Sequence, residues 1–86
     1  MTMVIIAGHA TVNTPDRDRY VTGHQNLVRR ARQAPGCLDV AITADPLDPG
    51  RVNVFERWES RKHLDEWRAA AKAPKPGIKV GGHRQA

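Results

Sequence analysis

His9 lies in "MVIIAGHATV", a run of small and β-branched residues, so its imidazole has apolar neighbours along the chain. An imidazole titrates near neutrality, which suits a general base. The alternative is a core histidine satisfied by hydrogen bonds. His24 falls on an apolar stripe of the following segment, one helical turn after Tyr20. Alone it reads as structural; with His9 it makes a second acid/base or orienting group if both line one cavity. Tyr20 then offers a phenol to that cavity or simply packs. Trp67 supplies either a flat wall for an aromatic ligand or a core tryptophan. His63, one turn before Trp67, belongs at the flank of that stripe, half exposed. Asn13 has an amide to orient a ligand, though its place before Thr14 equally suits turn bonding.

Other chemistries find less. The four histidines show no metal-ligand spacing and there is no cysteine cluster. The single Cys37 follows Pro35-Gly36 and reads as a small apolar group without activating neighbours. It excludes an internal disulfide and fits a reducing compartment.

These side chains need a scaffold to hold them. Met3 to Val12 reads as a strand, with Val4, Ile6, Gly8, Ala10 and Val12 on one face and Ile5, Ala7, His9, Thr11 and Asn13 on the other. "TPD" opens a helix, with Thr14 as N-cap and Pro15 at its first position. Its stripe is Tyr20, His24, Leu27, Val28 and Ala31, and it runs to about Gln33. Arg29, Arg30 and Arg32 complement the C-terminal end of its dipole, and Pro35-Gly36 stops it. Gly23 interrupts it and costs about 1 kcal/mol relative to alanine. Strand two is Cys37 to Ala44, "DPLDPG" makes a turn, and strand three is Arg51 to Glu59. Ser60 caps a second helix whose stripe is Leu64, Trp67 and Ala71. Residues 1–72 thus form one domain, and 73–86 a tail rich in proline, glycine and basic residues. Within that tail Ile78-Lys79-Val80 have room to begin only a short last strand.

The order strand, helix, strand, strand, helix is the split βαβ of ferredoxin-like α+β domains. It leaves one sheet face bare, and a second copy would cover it. At 86 residues the chain has one small core, burying only about 60–65% of its unfolded surface. Net charge is +5, so a nucleic-acid partner is worth weighing. The basic residues fall singly or in pairs, however, and only four aromatics are present to stack on bases. The expected central strands offer Phe55 and Trp58 on opposite faces, which argues against nucleic acid. "MTMVIIAGHATV" has no basic leader region, and no stretch approaches bilayer-spanning length. The expectation is a cytoplasmic protein with no membrane partner.

Pro35-Gly36-Cys37-Leu38 at the start of strand two, then "FERWES" and "HLDEW", resemble the antibiotic biosynthesis monooxygenase (ABM) domain family. The likeness runs from Met3 to about Lys72. It implies a dimeric α+β barrel in which the open faces of two sheets pack together. In such a dimer Glu56 and Arg57, on opposite faces of strand three, take structural roles, and each needs a partner because an unpaired buried charge is expensive.

Members of that family with known activity oxidise polyphenols, anthrones or quinols with O₂, without flavin or metal. The resemblance therefore implies a cofactor-independent monooxygenase whose partners are a small aromatic substrate, O₂ and a second copy. It implies His9 as base, on strand one where it faces the helices, and His24 as helper. Tyr20 and Trp67 would form the aromatic wall, with Asn13 and His63 as further contacts. A one-residue slip in register would turn His9 to the other face. Two alternatives stand beside this: a non-catalytic ligand-binding dimer, and a haem-binding or haem-degrading relative. The haem-degrading branch has Asn on strand one near His9, Trp at Trp67, and a histidine where this chain has Gly77. The chain also lacks the clear fourth strand with which relatives usually finish.

Overall fold

A computed structural model describes residues 2–71 and, as backbone only, 80–83. Expectations resting on Gly77, on Ile78-Lys79 or on the His83 side chain lie outside the described residues.

The elements follow the order expected. Strand β1 (Val4–Val12) leads through a 3₁₀ turn (Thr14–Asp16) to helices α1 (Arg17–Gly23) and α2 (Gln25–Gln33). Then come β2 (Cys37–Ala44), β3 (Arg51–Trp58), helix α3 (Arg61–Ala70) and a short β4 (Val80–His83). The sheet order is β2-β3-β1-β4, with every neighbouring pair antiparallel. The fourth strand is therefore present, paired with the end of β1 at Ala10–Val12.

One expected helix is two. Glycine weakens the helix at Gly23, and His24 completes the break. Its backbone N–H donates to Val21 O at 3.1 Å, while its ring Nδ1 takes the Tyr20 carbonyl at 2.8 Å. The side chain has taken over the bond that the backbone of a continuous helix would make. Since a carbonyl only accepts, Nδ1 carries the proton and the free lone pair of the neutral ring is on Nε2.

The strand register fixes the faces. Val4 pairs with Trp58, Ile6 with Glu56, Gly8 with Val54 and Ala10 with Val52. This face packs under the helices: Ile6, Val40 and Trp58 form one buried cluster with Ala31 of α2 and Leu64 of α3. Trp58 and Leu64 are wholly buried. The opposite face carries Ile5, Ala7, His9 and Thr11 of β1 beside Arg57, Phe55, Asn53 and Arg51 of β3. No helix among the described residues covers it, and Ile5 is 45% exposed.

Two local devices hold the connections. At the β2–β3 turn the Asp45 carboxylate accepts from the Leu47 and Asp48 N–H groups and from Asn53 Nδ2. Arg17 donates from Nη1 to Asp45 O and Asp48 O, tying this turn to the start of α1. At the α2–β2 turn Gly36 adopts φ 78°, a conformation open to glycine. A Cβ there would overlap the His63 ring. No described helix is long and apolar enough to cross a membrane.

Candidate functional site

On β3 the residues facing the helices are Val52, Val54, Glu56 and Trp58. Three are apolar and one is an acid, set where the alternation calls for a core residue. Glu56 Oε1 accepts from the indole Nε1 of the buried Trp58 at 3.0 Å. That bond partners the carboxylate and leaves it further lone pairs for another donor.

Above Glu56 lies a small chamber of about 50 Å³ between the sheet and the two helices. Leu27 and Val28 of α2, Trp67 of α3, and Ile42 and Val54 of the sheet line it. Glu56 is the one ionisable group among its lining residues. The Trp67 ring stacks towards Trp58, with centroids 6.2 Å apart and planes 26° from parallel. The Arg30 guanidinium lies 5.9 Å from the Trp67 centroid, within cation–π range. Trp67 is thus both a packed aromatic and a chamber wall.

The structure distributes the other candidates rather than gathering them. His9 stands opposite Asn53 on the open sheet face, not on the helix side where it was expected. The one-residue difference in facing separates it from the chamber and from His24. His24, 9% exposed, sits at the α1–α2 junction with the Tyr20 ring against it, centroids 4.4 Å apart. Neither of those two lines the chamber. Burial pushes the Tyr20 phenol above its ordinary range, so it stays protonated at neutral pH. Asn13 is exposed, and its backbone carbonyl accepts from Asp16 N–H at 2.8 Å, the turn bonding its position suggested.

His63 is held by the cap of α3. Ser60 Oγ accepts from the His63 N–H at 3.3 Å and lies 2.8 Å from His63 Nδ1. The hydroxyl proton can then donate to Nδ1, a reciprocal arrangement akin to a capping box. The ring closes over Gly36 on one side. On another it lines a second cleft, of about 250 Å³, with Pro35, Glu66 and Trp67. His63 and Trp67 are the two expected substrate contacts that the fold brings together.

Glu56 is the residue that reading from the chain undervalued. The signal was there: "VNVFERW" places an acid in phase with Val52, Val54 and Trp58. Cys37 is half-buried, and burial with the nearby Asp39 and Glu56 charges pushes its thiol up. Among the described residues no three His, Cys, Asp or Glu side chains gather as a metal site would require.

Solved structures with this fold are numerous. A candidate antibiotic biosynthesis monooxygenase from Nitrosomonas europaea is similar with a TM-score of 0.85 at 16% identity, over 98% of this chain and 86% of that one. Another, from Chloroflexus aurantiacus, gives 0.72 at 22% identity, over 99% and 91%. A third, from Deinococcus radiodurans, gives 0.74 at 15% identity, over 99% and 88%. At such identities the likeness is one of fold. No protein of curated function matches the sequence. The family model for antibiotic biosynthesis monooxygenase matches residues 3–73, most of the chain. The β3 acid under a lid of two helices, on a ferredoxin-like sheet with this match, therefore belongs to a member of the antibiotic biosynthesis monooxygenase (ABM) family.

Proposed function

We propose that this chain oxidises a small electron-rich aromatic, a polyphenol, anthrone or quinol, with O₂, and that Glu56 is its base. The observation that carries the reading is the single carboxylate in an otherwise apolar chamber. Oxidation of a CH₂ flanked by aromatic rings needs little else. The base removes a proton, the carbanion or phenolate gives an electron to O₂, and the radical pair joins as a peroxide anion. The protonated base returns its proton to give the hydroperoxide. Loss of water then leaves one oxygen atom as a carbonyl. The substrate supplies the electrons, so the protein supplies deprotonation, orientation and exclusion of water.

The chamber's size assigns parts. A water takes about 30 Å³ of liquid volume, so about 50 Å³ suits O₂ or the reacting edge of a ring, not a whole ring. The ring then lies outside the chamber, with Trp67 as a wall near the reacting edge. Ile5, Ala7 and Phe55 favour a second copy on the open face, which would put His9 at the dimer interface.

Oxygen uptake by the purified protein, without added cofactor, on a panel of anthrones and hydroquinones tests this reading. Protein-dependent uptake with one ¹⁸O atom from ¹⁸O₂ in the product supports it. Uptake no faster than the spontaneous rate across the panel favours the non-catalytic ligand-binding dimer.

A further inference from the structure

Beside the chamber, an open groove of about 260 Å³ runs between helices α1 and α2 and the edge strand β2. Val28 and Ile42 line both spaces, so the groove adjoins the Glu56 chamber across those two side chains. Its walls differ in kind. Val21, Val28 and Ile42 make an apolar floor, while Gln25, Arg29 and Arg32 stand along one side. These helical residues recur at spacings of three and four, which puts them on one stripe.

Arg32 is placed firmly. Its Nε donates to the Val40 carbonyl at 2.9 Å, covering an edge-strand acceptor that would otherwise face solvent. The other guanidinium hydrogens belong to Nη1 and Nη2. Arg29 lies one turn earlier, and among the described residues neither arginine forms an ion pair. Two unpaired cations over an apolar floor match a molecule that is flat and apolar at one end and anionic at the other. A guanidinium fork fits a carboxylate in particular. The volume lies just under the roughly 300–1,000 Å³ common for ligand sites, which points to one or two fused rings.

We infer that the groove binds an aromatic carboxylate, its acid group on Arg29 and Arg32 and its ring over Val28 and Ile42, with the ring edge towards Glu56. The inference rests on the oxidation reading for its link to Glu56, and names the substrate class as an acid rather than a neutral quinol. It gives Arg29 and Arg32 the role of selecting the substrate.

The test is a binding titration that needs no turnover. 1-Naphthoate and 1-naphthalenemethanol, alike in ring and unlike in charge, are added to methyl-labelled protein at low salt and followed by NMR. Naphthoate is expected to shift the Val28 and Ile42 methyl signals and to bind roughly tenfold more tightly than the alcohol. That allows a few-fold for each exposed arginine. Arg29→Gln is expected to cut the preference to roughly threefold, the share left to Arg32. Arg32→Lys, which keeps a cation should Arg32→Gln unfold the edge, is expected to weaken it. Equal affinity for acid and alcohol would overturn the inference, as would naphthoate shifts away from the groove. So would a preference undiminished in Arg29→Gln, or acetate competing as well as naphthoate, the latter showing only the attraction of a net charge of +5 for anions. Failure of the oxidation reading looks different: the naphthoate preference remains while no oxygen is consumed.

Discussion

Gly36 offers a quantitative check on how the structure holds the His63 ring. An alanine there must adopt φ near 78°, which costs a residue with a Cβ roughly 1–2 kcal/mol. Its methyl must also displace the His63 ring. That ring is tied to the Ser60 hydroxyl at 2.8 Å, so moving it forfeits this hydrogen bond, worth about 1 kcal/mol, while the backbone cap from His63 N–H to Ser60 Oγ stays. Gly36→Ala should therefore destabilise the fold by about 2–3 kcal/mol, a large part of the ~5–15 kcal/mol typical of a domain. In thermal unfolding that corresponds to a fall of roughly 8–24 °C. Urea titrations of Gly36→Ala, His63→Ala and the double variant, followed by circular dichroism, separate the two terms. Without the imidazole only the backbone term remains, so the same change should cost about 1–2 kcal/mol in the His63→Ala background. A loss for Gly36→Ala below about 1 kcal/mol, or an equal loss in both backgrounds, would refute the reasoning.

Three further outcomes are expected. The Asn53 side-chain amide, then the Asp48 and Leu47 N–H groups, then the Arg51 charge hold the Asp45 carboxyl at about 2, below its usual 3.8. Because this pKa is depressed on folding, the stabilisation is complete above about pH 4 and is lost as pH falls towards 2. The difference in thermal midpoint between wild type and Asp45→Asn should thus be largest above pH 4 and shrink in that window; a pH-independent difference would contradict it. Ile5→Asp, on the open sheet face, should convert a sedimenting dimer to a folded monomer. A wild-type protein that already sediments as a monomer at micromolar concentration would refute the proposed pairing. Trp58→Phe removes the N–H that donates to Glu56 and should destabilise by at least about 1–3 kcal/mol, with slower oxygen uptake from the fraction that still folds. Unchanged stability and uptake would show that this bond does not position the acid.

Much of the scaffold was legible in the chain. β2 begins and ends at Cys37 and Ala44 as read, because Pro-Gly before it and Asp-Pro after it punctuate the backbone strongly. Ser60 as cap and Leu64 as the buried residue of α3 were equally plain. The break at His24 was only half visible: Gly23 weakens the helix, but the imidazole bonding to Tyr20 O is a side-chain conformation that no propensity encodes. The facing of His9 was the larger miss. β1 carries small and apolar residues on both faces, Ile5 and Ala7 against Ile6 and Gly8, so its pattern does not say which face meets the helices. Strand β3 settles it through pairing, since Trp58 opposite Val4 brings Glu56 inward and His9 outward. The residue that faces the chamber is therefore an acid and not a histidine, while Trp67 keeps a place in the chamber wall. Along the chain the groove arginines are companions of the helix dipole, because their neighbour across space, the edge of β2, is distant in sequence.

The central claim is that Glu56, inside the helix-covered chamber, is the base, and that His9 on the open face is not. The direct measurement is the rate of protein-dependent oxygen uptake on an anthrone, compared among wild type, Glu56→Gln and His9→Ala, each verified as folded. Removing a general base typically lowers the rate by about 10²–10⁴-fold. The account expects a loss of that order in Glu56→Gln, with His9→Ala within a few-fold of wild type. Uptake that persists in Glu56→Gln and collapses in His9→Ala would contradict it and return the base to the open sheet face.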